Sequence, residues 1–320
     1  MPNLVCLKYL NCRYANDCLN FILFRSPDIN DLNGDKDMKL VAFEANGKRS
    51  YGSLAGDSIT DLGRSFAQRY PDIRAVLEAG ALPELAKAVA AQSATHALAG
   101  LKLLPVIDNP QKILCIGRNY KTHVAETKRP DAEYPSIFTR FADTLIAHDA
   151  PLLKPAISHR FDFEGELAVV IGTGGRNITQ ADAFAHVAGY ACFNDGSVRD
   201  WQRHTHQWTP GKNFPGTGAF GPCLVTRDEV PDLDAQTLTT RLNGEVVQQA
   251  AFSDLIFSIP VIIEYISRFT PLSPGDVIAT GTPGGVGDRR EPPLYMKQGD
   301  VVEVEITNIG LLRNVVQNEA

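Results

Sequence analysis

A group of carboxylates opens the segment 162–172, which reads DFEGELAVVIG. Glu164 and Glu166 are two residues apart, and the apolar run 167–171 that follows is typical of a buried strand. Because successive side chains of a strand point to opposite faces, these two carboxylates share one face. They either mark a solvated strand end or bind a hard cation, since buried like charges need a counter-charge. Residues elsewhere in the chain must decide between the two.

A second candidate group lies in the segment 117–126, GRNYKTHVAE, where His123 and Glu126 are three residues apart. On a helical turn this spacing puts both side chains on one face. A carboxylate beside an imidazole orients the ring and raises its basicity, which suits a general base. An ordinary surface pair on a helix is the alternative.

A third group follows the predicted strand 187–193, which runs into NDGSVRDWQ and places Asp195 where a buried strand meets a loop. Ligands often converge at strand ends. The same loop carries Arg199, Asp200 and Gln202. Capping and turn formation by the aspartates is the alternative to a binding role.

Two segments rich in glycine are further candidates for ligand binding. Residues 210–222, around Lys212, read as a loop shaped for close approach to a ligand, although the GxxxxGK[ST] order of a phosphate loop is absent. A predicted strand over 276–280 runs into TGTPGGVG, whose glycines permit backbone donors to face a ligand.

The elements that must position these residues include both strands and helices. Asn-Gly pairs predict type I′ hairpin turns at residues 46–47 and 243–244. Periodicity predicts helices over 73–78, 85–92 and 258–268, the last capped by Ser258, and strands over 102–106, 113–116, 137–140, 237–242, 245–249 and 301–306, the last strand closing the chain.

Composition excludes several classes of protein. The 320 residues carry a net charge of −6, with no basic excess that would indicate a nucleic-acid partner. No apolar run reaches the length of a membrane span. The six cysteines form no CxxC pair, which fits a reducing compartment, and we predict a cytoplasmic protein.

The chain divides into three parts by composition. Residues 1–37 show no clear pattern, and we interpret them as an upstream extension outside the fold, with a signal peptide as the alternative. Met38 begins a clear strand, so residues 38–106 are predicted to form a small N-terminal α+β domain. Residues 107–320 would form the main catalytic domain.

The motifs GRNYKTHVAE, FEGELAVVIG, FNDGSVRDWQ, GKNF and ATGTPGGVG, in that order, closely resemble the fumarylacetoacetate hydrolase family. This family includes acylpyruvate hydrolases, 2-hydroxyhepta-2,4-diene-1,7-dioate isomerases and 2-oxoacid decarboxylases. The resemblance implies an α+β fold, a roll of mixed β-sheets, assembled as a homodimer.

The resemblance also implies roles for individual residues. It makes Glu164, Glu166 and Asp195 ligands of a divalent metal, Mg²⁺ with Mn²⁺ or Ca²⁺ as alternatives. It makes His123 and Glu126 a water-activating pair and Lys212 the active-site lysine. Gln202 and Thr280 would contact the oxoacid head of the substrate, and Arg199 would be a structural ion-pair partner. Arg140 replaces a lysine common in the family, at the distal end of the substrate.

The sequence thus favours a metal-dependent hydrolase that cleaves a carbon–carbon bond of an acylpyruvate-type 2,4-dioxo acid through an enolate. The metal and Lys212 would stabilise that enolate. The alternative is an isomerase or decarboxylase of 2-oxo diacids from aromatic catabolism, such as 2-hydroxyhepta-2,4-diene-1,7-dioate or oxaloacetate. The His123–Glu126 pair favours hydrolysis, because the other reactions need no activated water. A non-catalytic binding protein is a third reading.

Overall fold

The computed structural model describes residues 38–127 and 133–320, and the predicted extension 1–37 lies outside these ranges. Within them the strands are β1 (Lys39–Ala45), β2 (Lys48–Ala55), β3 (Ser58–Asp61), β4 (His96–Ala97), β5 (Lys102–Leu104), β6 (Ile113–Gly117), β7 (Ser136–Arg140), β8 (Leu145–Ile146), β9 (Leu152–Lys154), β10 (Phe161–Asp162), β11 (Gly165–Ile171), β12 (Val187–Asp195), β13 (Ser197–Val198), β14 (Gly218–Thr226), β15 (Thr237–Leu242), β16 (Glu245–Ala251), β17 (Val277–Ala279), β18 (Val301–Ile306) and β19 (Gly310–Asn318). The α-helices are α1 (Gly63–Phe66), α2 (Ile73–Glu78), α3 (Leu82–Ala91), α4 (Lys121–Thr127), α5 (Arg199–Gln202), α6 (Thr209–Lys212) and α7 (Ile259–Phe269).

The strands form two main sheets, both mixed. The larger has the order β4-β3-β2-β1-β14-β12-β11-β17-β6-β7, with β5 added beside β1 and β8 beside β14. Its pairs are antiparallel except β17–β6 and β14–β8. The smaller sheet has the order β16-β15-β18-β19-β9, and β10 pairs with β13 alone. The fold class is therefore α+β with mixed sheets, as expected.

The central strand β11 is buried on both faces, which explains its continuous apolar run. Leu167, Val169 and Ile171 belong to one core cluster, whereas Ala168 and Val170 belong to another. The first cluster includes residues of α7 and the smaller sheet, and the second includes residues of α2 and α3. The larger sheet thus lies between two apolar layers, and its centre is a rigid support for the side chains at the start of β11.

The two Asn-Gly pairs have the backbone angles that their predicted turns require. Asn46 and Gly47 have φ of 52° and 73°, and Asn243 and Gly244 have φ of 54° and 84°. A type I′ turn needs positive φ at both central residues, so both predicted hairpins are confirmed. The helix over Ile73–Glu78 is also confirmed.

Two expectations about local structure, the Ser258 cap and the loop over 210–222, differ from the structure. Ser258 precedes α7 but its side chain makes no capping hydrogen bond, and Pro260 in the first turn has no N–H to donate. The segment 210–222 is only partly a loop, because Gly218–Thr226 forms β14 between β12 and β1. Pro222 lies within β14, where the register with β12 shifts, and such an irregularity tolerates the missing N–H of proline.

The strand over Val301–Ile306 does not close the chain, since β19 follows and pairs with it. Leu312, Asn314 and Val316 alternate as the buried positions of β19. Strand β1 pairs with β2 and β5 inside the predicted N-terminal domain and with β14 outside it. The division at residues 106 and 107 stays a prediction. In the described ranges no helix is long and apolar enough to cross a membrane.

We predict that the thiols of Cys115, Cys192 and Cys223 resist alkylation in the native protein. All three are buried, and burial raises the pKa of each, that of Cys223 to about 11. The thiolate is the reactive form, so each thiol should stay unlabelled by iodoacetamide at about pH 8. Peptide mapping by mass spectrometry, with urea-unfolded protein as the positive control, measures this. Rapid labelling of these three residues before unfolding would contradict their burial.

Candidate metal centre and active-site cleft

Antiparallel pairing of β11 with β12 brings the three predicted metal ligands together. Gly165 pairs with Asn194, and the N–H of Asp195 donates to the carbonyl of Glu164 at 2.8 Å. The start of β11 and the end of β12 therefore lie side by side. Glu164, Glu166 and Asp195 are buried, and one carboxylate oxygen of each lies within 4.8 Å of the others.

Three buried cations surround these carboxylates. The Lys212 ammonium donates to Glu164 Oε2 at 2.6 Å and to Asp195 Oδ2 at 2.5 Å. The Arg199 guanidinium lies 2.6 Å from Glu164 Oε1, and that of Arg140 lies 2.6 Å from Asp195 Oδ1. Glu164 and Asp195 thus have two cationic partners each.

Glu166 is different, because within residues 38–127 and 133–320 its one hydrogen bond is from the backbone N–H of Gly281 at 2.9 Å. Burial and the negative charges of Asp195 and Glu164 raise its pKa well above the ordinary value. Burial also acts on Glu164, but there the Arg199 and Lys212 charges dominate and lower the pKa. Glu166 is the carboxylate whose charge the protein does not balance.

The donor set fits a divalent cation. Four buried carboxylates (Asp162, Glu164, Glu166, Asp195) face three buried cations (Arg140, Arg199, Lys212), which leaves one negative charge without compensation. Oxygen-only ligands of this kind suit Mg²⁺, Mn²⁺ or Ca²⁺.

Asp162 connects three parts of the site, a role that the sequence did not reveal. Its carboxylate accepts from Arg199 Nε at 2.8 Å and from the backbone N–H groups of Gly287 and Asp288, both at 2.9 Å. Arg199 is therefore a structural partner of Asp162 and also a direct partner of Glu164. The position of Asp162 at the head of the DFE motif was the available signal.

The glycine-rich loop after β17 donates to carboxylates of the protein. Besides Gly281 to Glu166 and Gly287 to Asp162, the N–H of Gly285 donates to Glu126 Oε1 at 2.6 Å. These N–H groups were expected to face a ligand, but in the structure they donate to carboxylates of the protein itself. They hold in place the acidic groups around the cleft.

Helix α4 carries His123 and Glu126 to the edge of the metal centre. His123 lines the cleft, and its Nδ1 lies 3.7 Å from Glu126 Oε2. This distance exceeds a hydrogen bond, and among the described residues the buried Nδ1 has no hydrogen-bond partner. Hydrogen bonds between catalytic groups often shorten when substrate binds. A small movement of either side chain would therefore bring Nδ1 and Oε2 within hydrogen-bond distance.

Two residues expected to contact substrate lie elsewhere. Arg140 is buried behind Asp195, where it also donates to Gly196 and Thr217. The Thr280 hydroxyl donates to the Leu167 carbonyl at 3.1 Å, and the threonine that lines the cleft is Thr282. Gln202 does line the cleft and accepts from Arg199 at 3.0 Å.

The cleft itself is small and rich in cations. Its cavity of about 110 Å³ is well below the several hundred Å³ of sites for drug-sized ligands. Five basic residues line it (Arg118, Arg199, Arg203, Lys212, Arg289) against three acidic ones (Glu164, Glu166, Asp288). The sequence analysis missed Arg203, which directly follows NDGSVRDWQ, and Asp288 and Arg289, the two residues after TGTPGGVG.

We predict that Glu166→Gln stabilises the protein in chelator, and more so as the pH rises. The raised pKa of Glu166 means that its stabilising contribution is complete below the unfolded value of about 4 and is lost as the pH rises toward the folded pKa. The glutamine does not titrate, so the difference in free energy of unfolding should grow by up to about 1.4 kcal/mol per pH unit. Urea titrations at several pH values measure it.

Glu305→Gln removes a half-exposed carboxylate on the smaller sheet and serves as the control. This variant shows the effect on the free energy of unfolding of losing one carboxylate far from the cleft. A difference for Glu166→Gln that does not change with pH would show that Glu166 is not under electrostatic strain.

Comparisons with known proteins agree with the geometry. The sequence profile of the family described as "Fumarylacetoacetate (FAA) hydrolase C-terminal" matches residues 112–317. Oxaloacetate tautomerase fahd2, mitochondrial, from Xenopus laevis is 39% identical over 265 residues, covering 82% of this chain and 83% of the relative.

Two solved structures share the fold. A fumarylacetoacetate hydrolase from psychrophilic Exiguobacterium antarcticum is 33% identical with a TM-score of 0.78, and covers 88% of this chain and 100% of its own. Maleylpyruvate hydrolase from Sphingobium sp. SYK-6, in complex with manganese (II) ion and pyruvate, is 26% identical with a TM-score of 0.74, at the same coverage. The profile match, the relative and the shared fold together show that this chain belongs to the fumarylacetoacetate hydrolase family.

Proposed function

We propose that the protein is a divalent-metal-dependent enzyme that interconverts the keto and enol forms of a small 2-oxo dicarboxylic acid, with oxaloacetate as the substrate. The observation that carries this proposal is the uncompensated Glu166 carboxylate on the floor of a cleft in which most of the charged lining residues are basic. Carboxylates on the floor of the cleft can bind a metal ion, and basic side chains on its walls can bind an anionic substrate.

The charge of the cleft favours a dianion over a monoanion. Arg199 and Lys212 are paired with buried carboxylates and are left out of the count. The lining then has three further basic residues against two further acidic ones (Arg118, Arg203, Arg289; Glu166, Asp288), and a divalent cation at Glu166 would add to this excess. One substrate carboxylate and the 2-oxo group would bind at the metal centre, and the second carboxylate would meet the remaining basic side chains. The small cavity agrees with a four-carbon acid.

Glu164, Glu166 and Asp195 would hold the cation, for which we propose Mg²⁺ with Mn²⁺ or Ca²⁺ as alternatives. When bound, a divalent cation supplies Lewis-acid polarisation of the 2-oxo group.

Lys212 serves as a donor and not as a base. Burial lowers the pKa of its ammonium, but the charges of Asp195 and Glu164 outweigh this and raise it, so the group stays protonated. Two of its three N–H groups donate to those carboxylates. The third is left to donate to the 2-oxygen as negative charge develops there.

His123 would move the proton at carbon. Conversion of enol to keto releases the proton of the 2-hydroxyl to water and adds a proton at C3, so the net composition is unchanged. The group that supplies the C3 proton regains one from water. An imidazole that lines the cleft can deliver the C3 proton and recover it in the reverse direction. Glu126 would orient the ring and stabilise its charged form.

Hydrolysis of an acylpyruvate is the second candidate, and the sequence alone ranked it first. The observation that favours it is the His123–Glu126 pair, since the same imidazole could take a proton from water. The name of the maleylpyruvate hydrolase supports this candidate, and that of the Xenopus relative supports the tautomerase. The higher identity of the Xenopus relative is our reason for proposing tautomerisation before hydrolysis.

Two further expectations stay predictions. A homodimer is implied by the resemblance to the family, and we retain it as a proposal. A cytoplasmic location is not supported by the Xenopus relative, whose name places that protein in mitochondria.

We predict that the wild-type protein with Mg²⁺ accelerates the decay of enol-oxaloacetate, followed by its ultraviolet absorbance, and that excess chelator abolishes this activity. His123→Ala should lose about 10²–10⁴-fold, the range of a positioned general acid or base, while Mn²⁺ affinity stays nearly unchanged. Glu166→Gln should lose both activity and Mn²⁺ binding, measured by calorimetry. Glu305→Gln, which changes a remote surface charge, should lose neither.

The same variants assayed with acylpyruvates separate the two candidates. Turnover of acylpyruvate with no effect on enol-oxaloacetate would make hydrolysis the reaction. Full tautomerase activity in excess chelator would overturn the metal-dependent mechanism for this chain.

A further inference from the structure

Two walls of the cleft are connected by ion pairs at two depths. At the inner level, Arg199 of α5 pairs with Asp162, which also accepts from the backbone of Gly287 and Asp288. At the outer level, Arg203 at the end of α5 pairs with the Asp288 carboxylate. The inner arginine is 6% exposed, whereas the outer one is 44% exposed. The outer pair therefore lies at the mouth.

A second arginine lies close to the outer ion pair of Arg203 and Asp288. Arg289 is 40% exposed, and its Nε lies 3.9 Å from the same Asp288 oxygen that Arg203 contacts. Asp288 also accepts from the Tyr295 hydroxyl at 2.9 Å. Its side chain is only 5% exposed, so a buried carboxylate lies between two half-exposed guanidinium groups.

The mouth thus carries one excess positive charge. Among the described residues, Asp288 is the one acid paired with Arg203 or Arg289. If Arg203 turned away, Asp288 would keep the Tyr295 hydroxyl and the nearby Arg289. Exchange of Arg203 from Asp288 to another carboxylate therefore leaves no buried charge alone.

The position of these arginines matches the second end of a substrate bound at the metal centre. Both line the same cavity as Glu164 and Glu166. Arg203 also lines a larger neighbouring cavity of about 630 Å³, so it lies where the inner cleft meets the outer space. A ligand held by its oxoacid head at Glu164 and Glu166 would direct its tail toward this junction.

We propose that Arg203 and Arg289 bind the far carboxylate of a dicarboxylic 2-oxo acid, and that Arg203 leaves Asp288 to do so. This inference rests on the proposed function for the site of the head group. Guanidinium groups suit the task, because each presents paired donors that match a carboxylate. Selection of a dicarboxylate over a monocarboxylate then depends on the mouth and not on the metal centre.

The test compares two ligands of equal length, 2-oxoglutarate and 2-oxopentanoate, which differ by a terminal carboxylate against a methyl group. Calorimetry with the full chain at saturating Mg²⁺ measures both affinities. The wild-type protein should bind 2-oxoglutarate more tightly. Arg203→Gln and Arg289→Gln should each lower the affinity for 2-oxoglutarate by on the order of tenfold, since one charge-assisted contact is lost. The affinity of each variant for 2-oxopentanoate should stay within about twofold of the wild-type value.

Asp288→Asn provides a change in the opposite direction. It removes the competing charge while an amide can still accept from Tyr295, so 2-oxoglutarate should bind several-fold more tightly. Arg241→Gln, which removes an arginine paired with Glu305 on the smaller sheet, controls for net charge and should change neither affinity.

Equal losses for both ligands in the arginine variants, or no loss for 2-oxoglutarate, would overturn the proposal. These affinities do not depend on turnover. A wild-type protein that binds 2-oxoglutarate through Arg203 and Arg289 but leaves enol-oxaloacetate unchanged would support this inference while rejecting the proposed reaction.

Discussion

The balance of charge among buried groups is the constraint on which this site depends. Removing four carboxylates from water would cost far more than the stability of a domain unless each found a partner. Arg140, Arg199 and Lys212 neutralise most of that charge through contacts of 2.5–2.8 Å. The remainder falls on Glu166, which among the described residues accepts a hydrogen bond only from the backbone N–H of Gly281. Such a buried carboxylate can bind a divalent cation together with Glu164 and Asp195.

The fold meets this constraint with backbone as well as side chains. The two central strands are buried on both faces, so the ends of β11 and β12 are held firmly where the carboxylates emerge. The loop after β17 then supplies N–H groups to Glu166, Glu126 and Asp162 in turn. Glycine is needed there at Gly281 and Gly285, whose φ values are 105° and 101°. One loop thereby links the metal centre, helix α4 and the inner ion pair.

Exposure separates the basic residues of the cleft into two groups. Arg199 and Lys212 are almost completely buried and each contacts two carboxylates, so they are part of the fixed frame. Arg203 and Arg289 are half exposed and share one carboxylate, so they can change partner at small cost. This gradient from fixed to exchangeable charge is the basis of our proposal that the inner residues take part in chemistry and the outer ones in selection of the substrate.

The sequence by itself determined what depends on neighbouring residues. The Asn-Gly hairpins, helix α2 and the pair of carboxylates on one strand follow from φ preferences and from periods of two or 3.6 residues, which act over a few positions. The motifs also identified the family. Tertiary structure decided what depends on distant partners: that Arg140 lies behind Asp195, that glycine N–H groups hold carboxylates, and that Arg203 meets Asp288 across 85 residues. Such contacts are set by sheet order and loop path, and a local pattern contains no information about either.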